Sequence, residues 1–271
     1  MDKLEDRLLT FEDNIHTALW GEERWVVSAH KAGPGIVAQG PFKGKSLCEI
    51  LPGFPILFKT IDARTRLSVQ VHPNEETKLI TGGDAKTEMW CALDDGFVYA
   101  GLKSGVTPKD IERAVGDGSF EELMVRHELK AGDALFIPGG LVHAIGDMTR
   151  VYEVQQSSDT TFRLYDWGRV GADGKPRELH VAQALKAIDY SLGVPTLASE
   201  VQCEFFNFKR LRLDGESTLS GKGWKVIYAF KGGFTIGERS FKQGESVLVL
   251  EGEDITLAAK ENGSEIFVTS L

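Results

Sequence analysis

The chain has 271 residues, of which 42% are hydrophobic and 26% are charged, and its formal net charge is −9. These proportions are typical of a soluble globular protein with two domains or one large one. An acidic chain lacks the basic surface that sequence-independent nucleic-acid binding requires, which excludes that class of function. An anionic substrate remains possible, because a metal ion and a few local cations can reverse the sign of the charge inside a cleft.

The cysteines Cys48, Cys91 and Cys203 are far apart and form no CxxC pair. Such spacing is typical of reduced thiols in a cytoplasmic protein. The segment 1–14 has no apolar signal-peptide core, and no uninterrupted apolar run approaches the length of a membrane span. We therefore expect a cytoplasmic protein without a membrane partner.

Thirty glycines lie at intervals between short apolar runs, which favours an all-β protein with many tight turns. Several runs alternate apolar and polar residues with period two, as strands with one buried face do. In chain order, the predicted strands are Glu23–Ala29, Ile56–Asp62, Ser68–His72, Met89–Leu93, Phe97–Gly101, Ala134–Ile137, Arg150–Gln155, Phe162–Asp166, Phe205–Leu213, Lys225–Lys231 and Ser246–Leu250.

Two regions interrupt the β pattern. Thr107–Pro108 supplies an N-cap and a first helical residue, and Ser119–Glu122 has the spacing of a capping box. A short helical insert is therefore expected near residues 107–126. A further helix is expected over Glu178–Tyr190, where apolar residues recur at helical spacing.

A weak internal repeat relates two glycine-containing segments. Residues 129–143 can be laid on residues 241–255 so that glycine, lysine and apolar positions coincide, with Gly140 matched to Gly252. At the end of the segment, His143 is replaced by Ile255. The repeat predicts one β-barrel unit used twice, with a metal ligand in the first copy alone.

Side chains of metal-ligand type lie at the ends of predicted strands. Gln70 and His72 are two residues apart and share one strand face, and Pro73 ends that strand. Glu88 begins another strand, and His143 follows a proline-glycine turn. Two imidazoles, a carboxylate and an amide oxygen suit zinc, with manganese, iron and cobalt as alternatives. Taken singly, each histidine is also compatible with a hydrogen-bonded structural role, and Glu88 with a surface position.

Three charged residues accompany these ligands. Lys86 lies two residues before Glu88, so in an extended segment it shares the same face, where it can bind an anion or transfer a proton. A solvated loop lysine is the alternative. Arg163 begins a strand after a polar loop and can clamp an oxyanion or phosphate in a bidentate manner. The alternative for Arg163 is a surface ion pair with Asp159.

These motifs resemble a known family. The spacing of glycine, proline and histidine over residues 132–143 resembles the second motif of the cupin superfamily. LSVQVHPNEE (67–76), KTEMW (86–90), IPGGLVHAIG (137–146) and VYEVQQSSDTTFRLYDWGR (151–169) resemble type I mannose-6-phosphate isomerases in their short bacterial form. Because several motifs occur in the same order over roughly residues 20–190, the resemblance is specific.

The resemblance implies two cupin domains, each a jelly-roll β-barrel, with a few short helices. The segment Gly193–Pro195 marks the boundary between a catalytic metal-binding domain, 1–192, and a degenerate C-terminal domain without metal ligands, 193–271. It also implies one Zn²⁺ per chain. The implied zinc ligands are Gln70, His72, Glu88 and His143, and the implied catalytic residues are Arg163, Lys86 and Asp159.

The implied activity interconverts mannose 6-phosphate and fructose 6-phosphate through an enediol. Zinc and Arg163 would stabilise the developing charge, and either Lys86 or Asp159 would transfer the proton. Lys86 and the loop at Ser157 and Ser158 are candidates for binding the phosphate. Two alternatives remain at this point: a cupin non-haem metal oxygenase, because two histidines and a carboxylate also suit iron, and a non-catalytic sugar-binding cupin.

Overall fold

A computed structural model describes residues 4–171, 174–251 and 254–271, so Gly252 of the predicted repeat lies outside the described residues. The predicted all-β fold is confirmed. In chain order, the strands are β1 (Leu8–Leu9), β2 (Ile15–Ala18), β3 (Gly21–Val27), β4 (Ile56–Ala63), β5 (Val69–Val71), β6 (Glu88–Ala92), β7 (Gly96–Leu102), β8 (Met124–Leu129), β9 (Ala134–Ile137), β10 (His143–Ile145), β11 (Thr149–Gln156), β12 (Phe162–Tyr165), β13 (Leu197–Ala198), β14 (Glu200–Gln202), β15 (Asn207–Leu213), β16 (Glu216–Leu219), β17 (Lys225–Lys231), β18 (Phe234–Ile236), β19 (Arg239–Phe241), β20 (Ser246–Val249), β21 (Ile255–Ala259) and β22 (Ser264–Ser270).

The helices are short and lie between the strands. They are α1 (Leu47–Ile50), α2 (Lys78–Thr81), α3 (Pro108–Asp117) and α4 (Val181–Ala187), with 3-10 turns at Leu4–Arg7 and Phe120–Leu123. Within the described residues, no helix combines the length and the apolar character that crossing a membrane requires.

The helical insert forms where it is expected, but it is shorter than predicted. Thr107 caps α3 by accepting a hydrogen bond from the Asp110 backbone N–H. The second predicted capping box is wrong, because the Ser119 hydroxyl donates to Asp117 Oδ1 and only a 3-10 turn follows. Strand β8 begins at Met124, inside the segment assigned to the insert. The helix predicted over 178–190 is reduced to α4, since Ile188 has extended backbone angles.

Contacts divide the chain into two compact units, here called the central unit and the flanking unit. The central unit is Ile15–Arg24 and Phe58–Ala198, and the flanking unit is Met1–Asn14, Trp25–Leu57 and Ser199–Leu271. This division differs from the predicted boundary between 192 and 193, because N-terminal segments belong with the C-terminal strands. The physical reason is that Leu8 and Leu9 of β1 pair with β20, and Leu8 is buried in the flanking unit's core.

The flanking unit consists of antiparallel sheets around an apolar core. One sheet has the order β1-β20-β17-β22-β15-β14, and the other β16-β21-β18-β19. The predicted repeat is visible in its turns. Lys242 N–H donates to Glu245 Oε2 just before β20, as Lys130 N–H donates to Asp133 Oδ2 just before β9 in the central unit. Ile255 begins β21 in the way that His143 begins β10.

Two further sheets have the strand orders β12-β5-β10-β7-β8 and β13-β9-β6-β11-β4-β3-β2, and the five-stranded one lies wholly within the central unit. One apolar cluster joins inward-facing residues of both sheets, including Val98, Ile145, Trp90 and Leu135. A second cluster covers the outer face of the five-stranded sheet with residues of α3 and α4. Both faces of this sheet are therefore buried.

Alternation along the five-stranded sheet decides which side chains face inward. Val69 and Val71 belong to the outer cluster under the helices, as do Val142 and Ala144. Because successive side chains of a strand point to opposite faces, the residues between them point into the space between the sheets. The polar residues in those inward positions are Gln70 and His143.

Gly139 is required where the turn after β9 crosses the segment that follows β5. A Cβ added at Gly139 would lie 2.7 Å from Pro73 O and 2.8 Å from Asn74 Cα, and these are backbone atoms that cannot move aside alone. We expect Gly139→Ala to lower the free energy of unfolding of the metal-free protein by about 1–3 kcal/mol, as overpacking does. Denaturation with urea measures the change.

Gly116→Ala is the matched control, since Gly116 lies within α3 and its added Cβ would meet nothing within 4 Å. Alanine in a helix is favoured over glycine by about 0.5–1 kcal/mol, so this variant should be as stable as the parent or more so. Equal stabilities of the two variants would contradict the role assigned to Gly139.

Candidate metal centre

Three strand ends bring two histidines and a glutamate together inside the central unit. His72 directly follows β5, Glu88 begins β6, and His143 begins β10, and all three side chains are buried. His72 and the turn before β10 are tied together, because Gly140 N–H donates to His72 O at 2.8 Å. The ligand atoms of the three residues all lie within 4.8 Å of one another.

The two imidazoles face each other through their Nε2 atoms, which are 3.2 Å apart. His72 Nδ1 lies 2.7 Å from Thr160 O, and His143 Nδ1 lies 2.8 Å from Leu141 O. A carbonyl oxygen only accepts hydrogen bonds, so in each neutral ring Nδ1 carries the proton and Nε2 presents a lone pair. Two lone pairs held this close repel each other unless a cation lies between them.

The same environment keeps both rings neutral. Burial, and after it the positive charge of Lys86, holds the pKa of His72 well below its ordinary value. Burial lowers the pKa of His143 to about 3. Neutral imidazoles with Nδ1 bound to a carbonyl are the form in which histidine coordinates metal ions.

Glu88 supplies the negative charge of the cluster. Its carboxylate oxygens lie 3.4 Å from His143 Nε2 and 3.6 Å from His72 Nε2. Within the described residues, neither buried oxygen accepts a hydrogen bond of good geometry. The Lys86 ammonium, 2.7 Å from Oε2, partly offsets the cost of burying this charge. The donor set therefore fits a divalent cation with nitrogen and oxygen ligands.

Lys86 is buried beside these ligands. Its Nζ lies 2.7 Å from Glu88 Oε2 and 3.1 Å from His72 Nε2. The backbone holds it there, since Lys86 N–H donates to Pro73 O. The prediction that Lys86 shares the face of Glu88 is confirmed, and the alternative of a solvated loop lysine is wrong.

Comparison with other proteins shows the family to which the chain belongs. No protein-family model matches the chain. The chain is 34% identical over 269 residues to mannose-6-phosphate isomerase ManA of Bacillus subtilis (strain 168), a match that covers 85% of this chain and 84% of that protein. The chain belongs to the type I mannose-6-phosphate isomerase family. A further family member, mannose-6-phosphate isomerase of Streptococcus mutans, is 31% identical over 223 residues, which cover 70% of each chain.

Solved structures of mannose-6-phosphate isomerases share the fold. The Bacillus subtilis enzyme superposes with a TM-score of 0.86 at 24% identity, covering 98% of this chain and 100% of that one. A mannose 6-phosphate isomerase bound with zinc and yttrium superposes with a TM-score of 0.72 at 14% identity, covering 97% of this chain and 99% of that one. At these identities the likeness establishes the fold.

In this mannose-6-phosphate isomerase family member, the backbone register places two further predicted residues beside the cluster. Gln70 pairs with His143 on one side and with Arg163 on the other. Directly paired residues of neighbouring strands point to the same face, so the three side chains form a row across the sheet. Gln70 is half-buried there and remains the predicted fourth ligand.

Arg163 is half-buried, and its Nη1 donates to Glu178 O at 2.8 Å. Asp159 lies in the loop before β12 with an exposed side chain. The roles of both residues stay predictions. The Ser158 hydroxyl is already engaged, because it donates to Asp84 O and accepts from Thr160 N–H. This leaves Ser158 poorly suited to the phosphate contact that the sequence suggests.

Sequence reasoning missed a row of linked polar side chains behind His143. Trp90 meets the His143 ring edge-on at 5.3 Å, and its Nε1 donates to Glu153 Oε2 at 2.8 Å. Lys59 Nζ lies 3.5 Å from Glu153 and 2.8 Å from Glu23. Burial, and after it the charge of Glu88, raises the pKa of Glu153. Charged residues at inward positions of otherwise apolar strands were the available signal.

Binding of Zn²⁺ to this cluster should stabilise the folded protein. At a free zinc concentration one hundred times the Kd, we expect a gain of about 2.7 kcal/mol, because the unfolded chain lacks the assembled ligands. Glu88→Gln, which removes the charge and keeps the size, should abolish most of the gain. Thermal unfolding of metal-free protein with and without zinc measures it.

The matched control is Glu216→Gln, whose carboxylate is exposed in β16 of the flanking unit. It should respond to zinc as the parent does. The assigned cluster is wrong if Glu88→Gln and the parent gain equally.

Proposed function

We propose that this protein is a zinc-dependent aldose–ketose isomerase that interconverts mannose 6-phosphate and fructose 6-phosphate through an enediol. The observation that carries the proposal is the 34% identity to mannose-6-phosphate isomerase ManA over 85% of the chain. The wide spacing of Cys48, Cys91 and Cys203, which form no CxxC pair, supports a cytoplasmic location for the enzyme.

The proposed zinc ligands are His72, Glu88 and His143, with the amide oxygen of Gln70 as the fourth. The facing Nε2 atoms and the buried carboxylate support this assignment. When bound, zinc supplies a Lewis acid that lowers the energy of negative charge on sugar oxygens. One ion per chain is proposed, since the equivalent position in the flanking unit is Ile255.

The reaction transfers a proton between two carbons. In the open-chain aldose, a base removes the proton from C2, the C–H electron pair forms the C1=C2 bond, and negative charge collects on O1. The O2 hydroxyl proton then passes to O1. Addition of a proton at C1 leaves the ketone at C2. The negative charge on O1 and O2 is the feature that the site must stabilise.

Two cations of the chain are proposed for that stabilisation. The Lys86 ammonium lies beside Glu88 and His72, in a buried position where charge interactions are strong. Arg163 stands on the same sheet face as Gln70 and His143. Its fixed fork of donors suits a planar enediolate or a phosphate.

Proton transfer is assigned to Lys86 and Asp159 by their positions. Lys86 can exchange a proton with the sugar oxygens, because its Nζ lies at the ligand cluster. Asp159 is proposed as the base at C1 and C2. Its neighbour Thr160 supplies the carbonyl that holds His72, so the loop runs along the edge of the site.

A coupled assay tests the function directly. Mannose 6-phosphate is supplied and fructose 6-phosphate is detected, with untreated, chelated and zinc-restored protein. We expect activity that chelation abolishes and zinc restores, because the charge on O1 and O2 loses its strongest partner without the ion. Full activity in protein shown to be metal-free would contradict the proposed zinc dependence. No activity in zinc-loaded protein would contradict the proposed isomerase function.

Arg163→Ala should slow the reaction while zinc stays bound. Loss of one preorganised donor to developing charge typically costs about 10²–10³-fold in kcat. Zinc content by atomic absorption should be unchanged, since Arg163 is not among the ligands.

Arg113→Ala is the matched control, because Arg113 is exposed on α3 and pairs only with Asp110 among the contacts described for it. Its kcat should equal that of the parent. Equal kcat for the Arg163 and Arg113 variants would remove Arg163 from the mechanism.

A further inference from the structure

We infer that Asp166 and Arg177 are positioning residues for Arg163, because their ion pair fixes the backbone carbonyl that orients the Arg163 guanidinium. The inference rests on the proposed function, in which Arg163 acts on the charge of the reacting sugar. It assigns a role to Asp166, which lies in the 151–169 motif, and to Arg177, which lies outside the motifs; the proposed reaction itself uses neither.

The Arg163 backbone is fixed from two sides. It pairs with Gln70 in the sheet, and its N–H donates to His180 Nδ1 at 3.2 Å while His180 N–H donates to Arg163 O at 2.7 Å. These contacts set where the side chain starts. They do not set where the guanidinium at its end points.

The guanidinium is oriented by a single backbone carbonyl among the contacts described for it. Arg163 Nη1 donates to Glu178 O at 2.8 Å, whereas Nε is buried without a hydrogen-bond partner among the described residues. A long side chain with one anchor loses its orientation when that anchor moves. The direction of the fork therefore depends on the peptide that carries Glu178 O.

Asp166 holds that peptide in place. Arg177, which directly precedes Glu178, donates from Nε to Asp166 Oδ2 at 2.7 Å and from Nη2 to Oδ1 at 2.6 Å. Such two-bond pairs between arginine and carboxylate have a fixed geometry. The buried carboxylate of Asp166 thus connects the end of β12 to the segment that faces Arg163.

Asp166 is itself anchored to the sheet. Arg169 binds the same carboxylate through Nε and Nη2, and its Nη1 donates to Arg66 O at 2.6 Å. Two guanidinium groups, of Arg169 and Arg177, therefore bind one carboxylate, and the Arg163 guanidinium interacts electrostatically with all three groups. Without that negative charge the arginines would repel one another, and Arg177 would no longer hold the 177–178 peptide.

A double-mutant cycle tests the inference with zinc-loaded full-length protein. The variants are Arg163→Ala, Asp166→Asn and the combination of both, and kcat and KM for mannose 6-phosphate are measured for each. If Asp166 acts through Arg163, Asp166→Asn should lower kcat at least about 10-fold in the parent and less than about twofold in the Arg163→Ala background. Zinc content should stay the same in all variants.

A purely structural role gives a different result, because the two losses would then multiply. Multiplying losses, or parental kcat in Asp166→Asn, would overturn the inference. Arg177→Lys repeats the cycle without removing a charge: lysine keeps the cation but loses the two-bond geometry. It should behave as Asp166→Asn does, and it keeps the test available if the asparagine variant does not fold.

The matched control is Asp214→Asn, which breaks an exposed pair with Arg212 in the flanking unit and should leave kcat unchanged. The cycle also separates this inference from the proposed function. An inactive parent protein would contradict the proposed isomerase function. An active parent whose Arg163→Ala variant is unimpaired removes the role of Arg163, and the positioning inference with it. An impaired Arg163→Ala variant with multiplying losses overturns the positioning inference alone.

Discussion

The constraint on which the centre depends is the approach of two imidazole nitrogens beside a buried carboxylate. Nε2 of His72 and Nε2 of His143 are held 3.2 Å apart although each presents a lone pair. Backbone carbonyls fix both rings from behind, and the strand ends fix the backbone. Keeping three ligand atoms together in this way lowers the stability of the fold, and a bound cation would offset that loss.

Two features of the surrounding fold support this arrangement, one close to the ligands and one farther away. Close to the ligands, Gly139 and Gly140 let one turn lie directly on the chain after His72, so that two strand ends meet. Farther out, helices cover the outer face of the five-stranded sheet, which leaves its inner face free to carry polar residues. Trp90, Glu153 and Lys59 then extend the row of linked polar side chains into the seven-stranded sheet.

The sequence predicted the parts of the site that local patterns determine. Period-two alternation placed Gln70 and His72 on one face, and the spacing of Lys86 and Glu88 predicted their shared face correctly. The charge of Glu153 in an otherwise apolar strand was a local signal, but its link to Trp90 could not be predicted, because it depends on which strand pairs with β6 and in what register. Ser119 was misjudged for a local reason, since Asp117 competes for its hydroxyl. Leu8 and Leu9 are too short a signal to predict a strand partner in β20.

The pairing of β1 with β20 has a consequence for the order of assembly. Leu8 and Val249 lie near opposite ends of the chain. During synthesis, β1 leaves the ribosome long before its partner exists, whereas most of the central unit is one continuous stretch, Phe58–Ala198. The central unit can therefore fold while the last strands of the flanking unit are still being synthesised. The six-stranded sheet of the flanking unit is complete only after β20 and β22 have been made, and until then its unpaired strand edges can pair with other chains.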